Sequence, residues 1–225
     1  MAVAKRRPGF ALWIAWVGAG ALGAAVAASA TQPGHEVFGD TGASYWVPIL
    51  LATPLALLQF LVLRGLIGVS VVAAGMWIGL TLVASAASIF AISGWYFVVP
   101  QLVPRTFISI ETGMDIMFTG GEYINPLLLG LAQGVALAWV FGRAGIAAWW
   151  VVINLVAYAV SLQLTIFALT ALAIEPGTTA GSYVLPRVSL AALYAAVTGL
   201  ALVAIVRMQY VSIKAHVSAA SKGAV

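Results

Sequence analysis

Apolar residues in this chain fall into six long stretches, and short segments carrying most of the charged residues separate them. Most stretches reach the roughly 20 residues that an α-helix needs to cross about 30 Å of hydrocarbon. Lipid offers no partner for backbone N–H and C=O groups, so each stretch is predicted to be a transmembrane helix. The stretches are Ala11–Ala30, Trp46–Leu63, Val71–Val98, Pro126–Phe141 (short for a span), Gly145–Ala173 and Val188–Met208.

Composition indicates the same class of protein. Hydrophobic residues make up 63% of the 225 residues and charged residues 7%, whereas a soluble domain carries about 25% charged residues. No long polar segment interrupts the chain, so residues 1–225 are predicted to form one all-α membrane domain, a bundle of six helices. The chain has no cysteine, which excludes disulfides, thiolate nucleophiles and cysteine-bound metals.

The distribution of basic residues predicts the orientation of the bundle. Eight lysines and arginines fall on one side of a six-span arrangement, and only Arg105 and Arg187 fall on the other. The positive-inside rule makes the basic side cytoplasmic, with both termini in the cytoplasm of a bacterial plasma (inner) membrane. All six acidic residues then lie outside. The net charge of +4 is thus a topology signal, and no basic face with readout groups indicates nucleic-acid binding.

The amino-terminal segment has two interpretations. Lys5-Arg6-Arg7, an apolar run and Ala28-Ser29-Ala30 together have the pattern of a cleavable secretory signal. The apolar run is about 20 residues, longer than the usual 7–15 of such signals. This length favours a first helix that is retained.

Two kinds of helix recur along the chain. PLALLQFLVL at 54–63 and PLLLGLAQGVAL at 126–137 place a leucine four residues after a glutamine, and TGLAL at 198–202 is a weaker third copy. LVASAAS at 82–88 and LVAYAVS at 155–161 follow Trp77 and Trp150 at the same distance, with a weaker copy at Trp13-Ile14. Naming the first kind A and the second B gives the order B-A-B-A-B-A. Equivalent helices share one orientation, so a parallel internal repeat is predicted, the alternative being chance similarity among apolar helices.

These segments resemble signatures of short, largely uncharacterised bacterial membrane proteins, frequent in cyanobacteria and Chloroflexota, that carry repeated G-L-x-Q-W-L-x-L-R and W-x-L-A-x-x-x-G helices. The matching segments are GLAQ at 130–133, QFLVLR at 59–64 and WIG at 77–79. Phe60 and Gly134 stand where that family often has tryptophan, and Thr198 replaces the third glutamine. The resemblance implies a helical membrane fold and no activity.

Polar side chains inside the predicted helices are the candidates for a binding site. Gln133 lies ten residues before Arg143, or roughly 15 Å deep, near the middle of the membrane, and Asn154 lies at a similar depth. Amides in lipid can join helices, at about 0.6–2 kcal/mol each, or can bind a ligand or pigment. The candidate buried polar residues are Gln59, Gln133, Asn154 and Thr198.

Small residues on the first stretch form a separate feature. Ala19, Gly23 and Ala27 share one face at intervals of four, which lets helix backbones approach closely. This face is expected to pack within the bundle, the alternative being another subunit.

The longest connecting segment, residues 99–125, is predicted to be a loop. Residues 106–112 alternate partly, as in a strand, 114–118 could lie along the membrane interface, and Gly120-Gly121 indicates a turn. Two acidic groups are candidates for cation binding, although neither has a recognised ligand spacing and no metal site is predicted. These groups are His35 with Glu36 and Asp40, and Glu111 with Asp115.

The sequence favours a role without catalysis. No ionisable residue lies at the centre of a span, and no nucleophile lies beside a base. We therefore expect no catalytic residue and no required cofactor. A lipid or a pigment is the kind of ligand that such a bundle would hold. An intramembrane enzyme would need a catalytic group that the spans do not display.

The expected function is that of a structural or accessory subunit that packs against membrane lipids and other membrane subunits. The alternative is a small-solute binding or transport component, since six spans of this length also suit the substrate-binding subunit of a vitamin-type transporter. A closed polar pocket near Gln133 and Asn154 would favour that alternative.

Overall fold

A computed structural model describes residues 9–102, 109–173 and 180–222, and all the elements in these ranges are helical. Side chains are not described for residues 30–48, 50–51, 110, 180–183 and 212–222. The elements are α1 (Phe10–Val62), a π-helical turn (Leu63–Ile67), α2 (Val71–Leu102), α3 (Ile110–Phe141), α4 (Gly145–Ala171) and α5 (Ala180–Lys222).

The long element α1 folds back on itself. Gly23 and Leu55 both belong to α1, yet a Cβ atom on Gly23 would lie 2.8 Å from the Leu55 Cα. A straight helix would hold two residues this far apart in sequence about 48 Å apart, at 1.5 Å per residue. The chain therefore reverses direction between them, and α1 has a first arm (residues 10–29) and a second arm (residues 52–62).

Five helical segments are long and apolar enough to cross a membrane, and the second arm of α1 with the π-helical turn forms a shorter apolar helix. The chain is therefore a multi-pass membrane protein with an all-helical bundle. Four of the predicted helices, the first, third, fifth and sixth, agree with the structure to within a few residues. The spans are Phe10–Ser29, Val71–Leu102, Glu111–Phe141, Gly145–Ala171 and Val184–Val211, and the shorter helix is Ala52–Ile67.

The segment 99–125, predicted to be a loop, contains the end of α2 and the start of α3. α3 begins at Ile110, where the Ser109 hydroxyl accepts a hydrogen bond from the Thr112 N–H at 3.1 Å and satisfies one donor of the first turn. The helix then continues through Pro126. The strand-like prediction is therefore wrong for residues 110–112, which are helical, and residues 114–118 belong to the same helix.

Gly120 and Gly121 are helical, so the predicted turn is also wrong. A Cβ atom on Gly121 would lie 2.8 Å from the Tyr96 hydroxyl oxygen, and Gly120 lies directly against the Trp95 ring. The Trp95 Nε1 atom donates a hydrogen bond to the Met117 carbonyl oxygen at 2.9 Å. The two glycines thus allow α3 to approach two aromatic rings of α2. Glycine is favoured where helices pack closely, as it is in turns, so the same pair of residues fits both structures.

The helices pack in a closed ring. α1 contacts α2 and α5, α2 contacts α3, α3 contacts α4, and α4 contacts α5. Small residues occupy several of these contacts, since Gly20 lies against Ala195 of α5 and a Cβ atom on Gly134 would lie 2.8 Å from the Ala147 carbonyl oxygen of α4. On the predicted small-residue face of the first arm, Gly23 lies against Leu55 of the second arm and Ala19 and Ala27 are buried, so this face is used within the bundle.

We expect Gly23→Ala to destabilise the bundle, because the new Cβ would lie 2.8 Å from the Leu55 Cα and 3.0 Å from its nitrogen. Relieving contact with two backbone atoms requires a helix shift, and overpacking of this kind costs about 1–3 kcal/mol. Gly18→Ala is the matched control on the same arm, since nothing lies within 4 Å of an added Cβ there. Thermal unfolding in detergent, followed by circular dichroism, measures both, and equal midpoints would contradict the close contact.

Candidate functional site

Three tryptophan side chains meet inside the bundle, and each donates its indole N–H to a polar side chain of a neighbouring helix. The bonds are Trp16 Nε1 to Thr198 Oγ1 at 3.1 Å, Trp77 Nε1 to Gln59 Oε1 at 3.2 Å, and Trp150 Nε1 to Gln133 Oε1 at 3.3 Å. We call these six side chains the tryptophan layer. Every arm or helix of the bundle contributes one of its members.

The tryptophan rings also pack against one another. Trp77 lies between the other two, edge-on to Trp16 with ring centroids 5.7 Å apart and edge-on to Trp150 at 6.3 Å. All three side chains are at most 1% exposed. Edge-to-face contacts are favoured between aromatic rings, so the layer closes the centre of the bundle at this level.

All four polar residues predicted from the sequence are buried. Gln59, Gln133 and Thr198 belong to the tryptophan layer, and Asn154 lies beside it with 0% exposure. The Asn154 amide nitrogen donates to the Trp150 carbonyl oxygen at 2.6 Å. Its amide oxygen accepts a hydrogen bond from the Tyr194 hydroxyl. These polar groups therefore bond to neighbouring helices.

The first arm of α1 uses Trp16 in this layer and not Trp13, which the repeat analysis had paired with Trp77. Trp13 lies one turn closer to the start of the helix, where its Nε1 atom donates to the Ala196 carbonyl oxygen at 2.9 Å. Trp16 also precedes ALGAAVA at 21–27 by the distance that separates Trp77 from LVASAAS. In its hydrogen bond to a neighbouring helix, Trp77 therefore corresponds to Trp16, which lies one helical turn after Trp13.

A cavity of about 1020 Å³ lies directly beyond the tryptophan layer, on the side away from Arg64 and Arg143. Its wall consists of residues that share a helix face with a layer residue. On α2, for example, Thr81, Ser85 and Ser88 follow Trp77 at intervals that keep them on one face. The tryptophan layer is therefore the floor of the cavity. A volume of this size is at the upper end of the roughly 300–1,000 Å³ found for ligand pockets.

Polar groups line the cavity on opposing sides. The α2 wall carries the hydroxyls of Thr81, Ser85, Ser88, Ser93 and Tyr96, and the other helices contribute Asn125, Tyr158, Arg187 and Tyr194. Aliphatic side chains make up much of the remaining wall. The cavity can therefore hold a molecule with polar ends and an apolar body.

Most of this wall is not among the candidate residues that the sequence predicts. The sequence predicts Arg187 to flank the last helix, but α5 begins at Ala180 and Arg187 lies inside the span Val184–Val211. The available signal was spacing, because Arg187, Ala191 and Tyr194 lie on one helix face and precede Thr198 on that face.

The two acidic groups named as candidates for cation binding lie partly outside the described residues. No group of three or more His, Cys, Asp or Glu side chains in the described part of the chain could hold a metal ion. Glu111 and Asp115 are exposed on α3. The side chains of residues 35, 36 and 40 lie outside the described set.

Comparison of the chain with protein-family models, curated protein sequences and solved structures gives no match. Function is therefore argued from the site itself, because a helical bundle as a fold does not specify an activity.

We expect Gln133→Leu to destabilise the protein. Gln133 accepts from Trp150 and donates to Thr81 Oγ1 at 3.4 Å, so leucine leaves a buried indole N–H without its acceptor. An unsatisfied buried donor costs about 1–3 kcal/mol. Gln163→Leu on the exposed side of α4 is the control. Thermal unfolding in one detergent compares them, and an unchanged midpoint for Gln133→Leu would show that the layer does not stabilise the bundle.

Proposed function

We propose that this chain is a non-catalytic, small-solute-binding component of a bacterial plasma membrane. The observation that carries this proposal is the cavity of about 1020 Å³ at the centre of the helix ring. Protein interiors are normally packed as densely as organic crystals, so a space of this size between packed helices is a departure from ordinary packing. A bundle that serves only to pack against partners has no need of such a void.

The position of the cavity also supports a binding role. A pocket near Gln133 and Asn154 is the feature that favours solute binding over a purely structural role. Both residues lie beneath the cavity and are not part of its wall. Thr81 and Tyr194 connect them to it, since both line the cavity and form hydrogen bonds with these two amides. The amides would therefore position the wall, and the hydroxyls and Arg187 would meet the ligand.

The chemistry of the wall supports binding without turnover. Among the described lining residues the polar groups are hydroxyls, one amide and one guanidinium. General acid–base and nucleophilic catalysis use a base positioned beside the reacting group. We therefore propose that the isolated chain binds its ligand unchanged.

A structural or accessory subunit within a larger membrane assembly is the second candidate function. Trp139 and Trp149 favour it, because they lie on either side of the α3–α4 turn and are 55% and 69% exposed. Exposed tryptophans also occur in the aromatic belts of membrane proteins, where they contact lipid head groups. Stable co-purification with another membrane subunit, lost on changing both residues to leucine, would support the accessory function.

We propose further that the bundle is built from three A–B helix pairs. Each pair would contain one indole hydrogen bond, and the third would join α5 to the first arm of α1, the two ends of the chain. The A helices share a small buried residue three positions before the bonded side chain and a buried leucine four positions after it. These residues are Ala56, Gly130 and Ala195, and Leu63, Leu137 and Leu202.

We propose that both termini and the Arg64–Arg143 end of the bundle are cytoplasmic, as the positive-inside rule implies. The chain has no native cysteine, so single introduced cysteines report position without background. An impermeant thiol reagent added to intact cells should label Ser109→Cys and should leave Ala2→Cys and Ala224→Cys unlabelled until the cells are opened. Labelling of either terminus in intact cells would exclude this orientation.

We expect the gently purified protein to retain a small molecule that native mass spectrometry detects. Ile92→Trp should reduce the fraction of protein that retains the molecule, because residue 92 lines the cavity and the larger ring would occupy part of the ligand's space. Phe90→Trp is the control, since residue 90 lies on the same helix and is 72% exposed. Both variants are first compared by circular dichroism. A wild-type spectrum free of bound molecules would refute solute binding.

A further inference from the structure

The α2 wall of the cavity offers hydrogen-bond acceptors. The Ser85 hydroxyl donates to the Thr81 carbonyl oxygen at 2.9 Å, Ser88 to the Ser85 carbonyl oxygen at 2.8 Å, and Ser93 to the Ile89 carbonyl oxygen at 2.8 Å. A serine hydroxyl has one hydrogen and two lone pairs. Because helix carbonyls already hold the three hydrogens, lone pairs remain for a molecule in the cavity.

The α5 side of the cavity has the opposite polarity. Arg187 lines the cavity together with Leu190, Ala191 and Tyr194, which follow it on the same helix face. A guanidinium group carries five N–H donors and no acceptor. The planar fork of a guanidinium matches the geometry of carboxylate and phosphate groups, which it can bind through two parallel hydrogen bonds.

Apolar side chains make up much of the remaining wall. Leu55 and Leu129 line the cavity from the second arm of α1 and from α3, and Ile89 and Leu190 line it from α2 and α5. A ligand that satisfies all three regions carries a negative charge at one end, an apolar body, and N–H or O–H donors on the side facing α2.

We propose that the cavity binds a small organic anion with an apolar body, its anionic group held by Arg187 and its N–H or O–H donors received by Ser85 and Ser88. This inference rests on the proposed function and specifies its ligand class. The same chemistry occurs in a water-soluble organic acid and in the head group of an anionic lipid.

Three matched probes test the two polar contacts. Indole-3-propionate has both the carboxylate and the N–H, its methyl ester lacks the charge, and N-methylindole-3-propionate lacks the donor. Isothermal titration of the purified full-length protein should show each altered probe binding about tenfold or more weakly than the parent acid, as expected for losing a hydrogen bond to a buried site.

Variants assign each preference to its residue. Arg187→Gln should remove the preference for acid over ester, and Arg187→Lys, which keeps the charge, should retain it. The double variant Ser85→Ala, Ser88→Ala should remove the preference for N–H over N-methyl. Arg207→Gln and Thr170→Ala, at exposed positions outside the cavity, should keep both preferences. Circular dichroism confirms that each variant is folded.

Two lipids separate the sources of the anion. Native mass spectra recorded with phosphatidylglycerol or phosphatidylcholine in the detergent should show selective retention of phosphatidylglycerol if the anion is a lipid head group. Retention of neither lipid, together with binding of the soluble acid, identifies a water-soluble ligand.

Several results would overturn the inference. Equal binding of acid and ester, or an undiminished acid preference in Arg187→Gln, excludes the anion site. If none of the probes binds, the charge of the molecule that the purified protein retains tests the proposal. A retained cation or neutral molecule would refute the anion site and would leave the proposed solute binding intact. A protein that retains no molecule and binds no probe would refute solute binding as a whole.

Discussion

The hydrogen bonds from three buried indole N–H groups are the interaction on which the rest of the bundle depends. A tryptophan inside an apolar bundle must find an acceptor, because lipid and aliphatic side chains provide none. In each case the acceptor lies on a different helix from the tryptophan, so each bond joins two segments of the chain. A single bond of this kind contributes about 0.6–2 kcal/mol. Three of them, with two edge-to-face ring contacts, specify which helices are neighbours and at what height they meet.

The cavity follows from what comes next on the same helix faces. In the three turns beyond Trp77, α2 carries alanine, serine and threonine toward the centre, at Thr81, Ala84, Ser85 and Ser88, and beyond Trp16 the first arm carries glycine and alanine. The rings set the spacing of the helices at the tryptophan layer. Small side chains on the same faces cannot fill that spacing, so space opens between the helices.

This arrangement gives the bundle two unlike halves. One half, toward Arg64 and Arg143, is closed by aromatic rings and bonded amides, and the other contains the cavity, whose largely apolar wall carries several polar groups. Passage of a solute through the bundle would require three indole hydrogen bonds and two ring contacts to break. Binding on one side without passage requires none of this, and it agrees with a component that captures a solute and relies on another subunit for any movement across the membrane.

The sequence by itself determined the membrane class, the approximate limits of most spans and the burial of the polar residues Gln59, Gln133, Asn154 and Thr198. Hydropathy and burial in lipid depend on local composition, and a helix that must satisfy its own backbone leaves few alternatives. The sequence also shows that Trp77 and Trp150 precede the similar segments LVASAAS and LVAYAVS by the same number of residues. The start of α3 was misjudged because Gly120-Gly121 and Pro126 have the composition of a turn, whereas contact with Trp95 and Tyr96 makes glycine the residue that a helix needs there.

Only the tertiary structure decided that Trp16 and not Trp13 completes the tryptophan layer, that Arg187 lies in the wall of a cavity, and that the serines of α2 face across to α5. These facts depend on how each helix is rotated about its axis and on which helices are neighbours in the ring. The rotation of each helix and the order of the helices are set by contacts between residues far apart in the chain, such as Trp16 and Thr198. Hydropathy along the chain carries no information about such contacts.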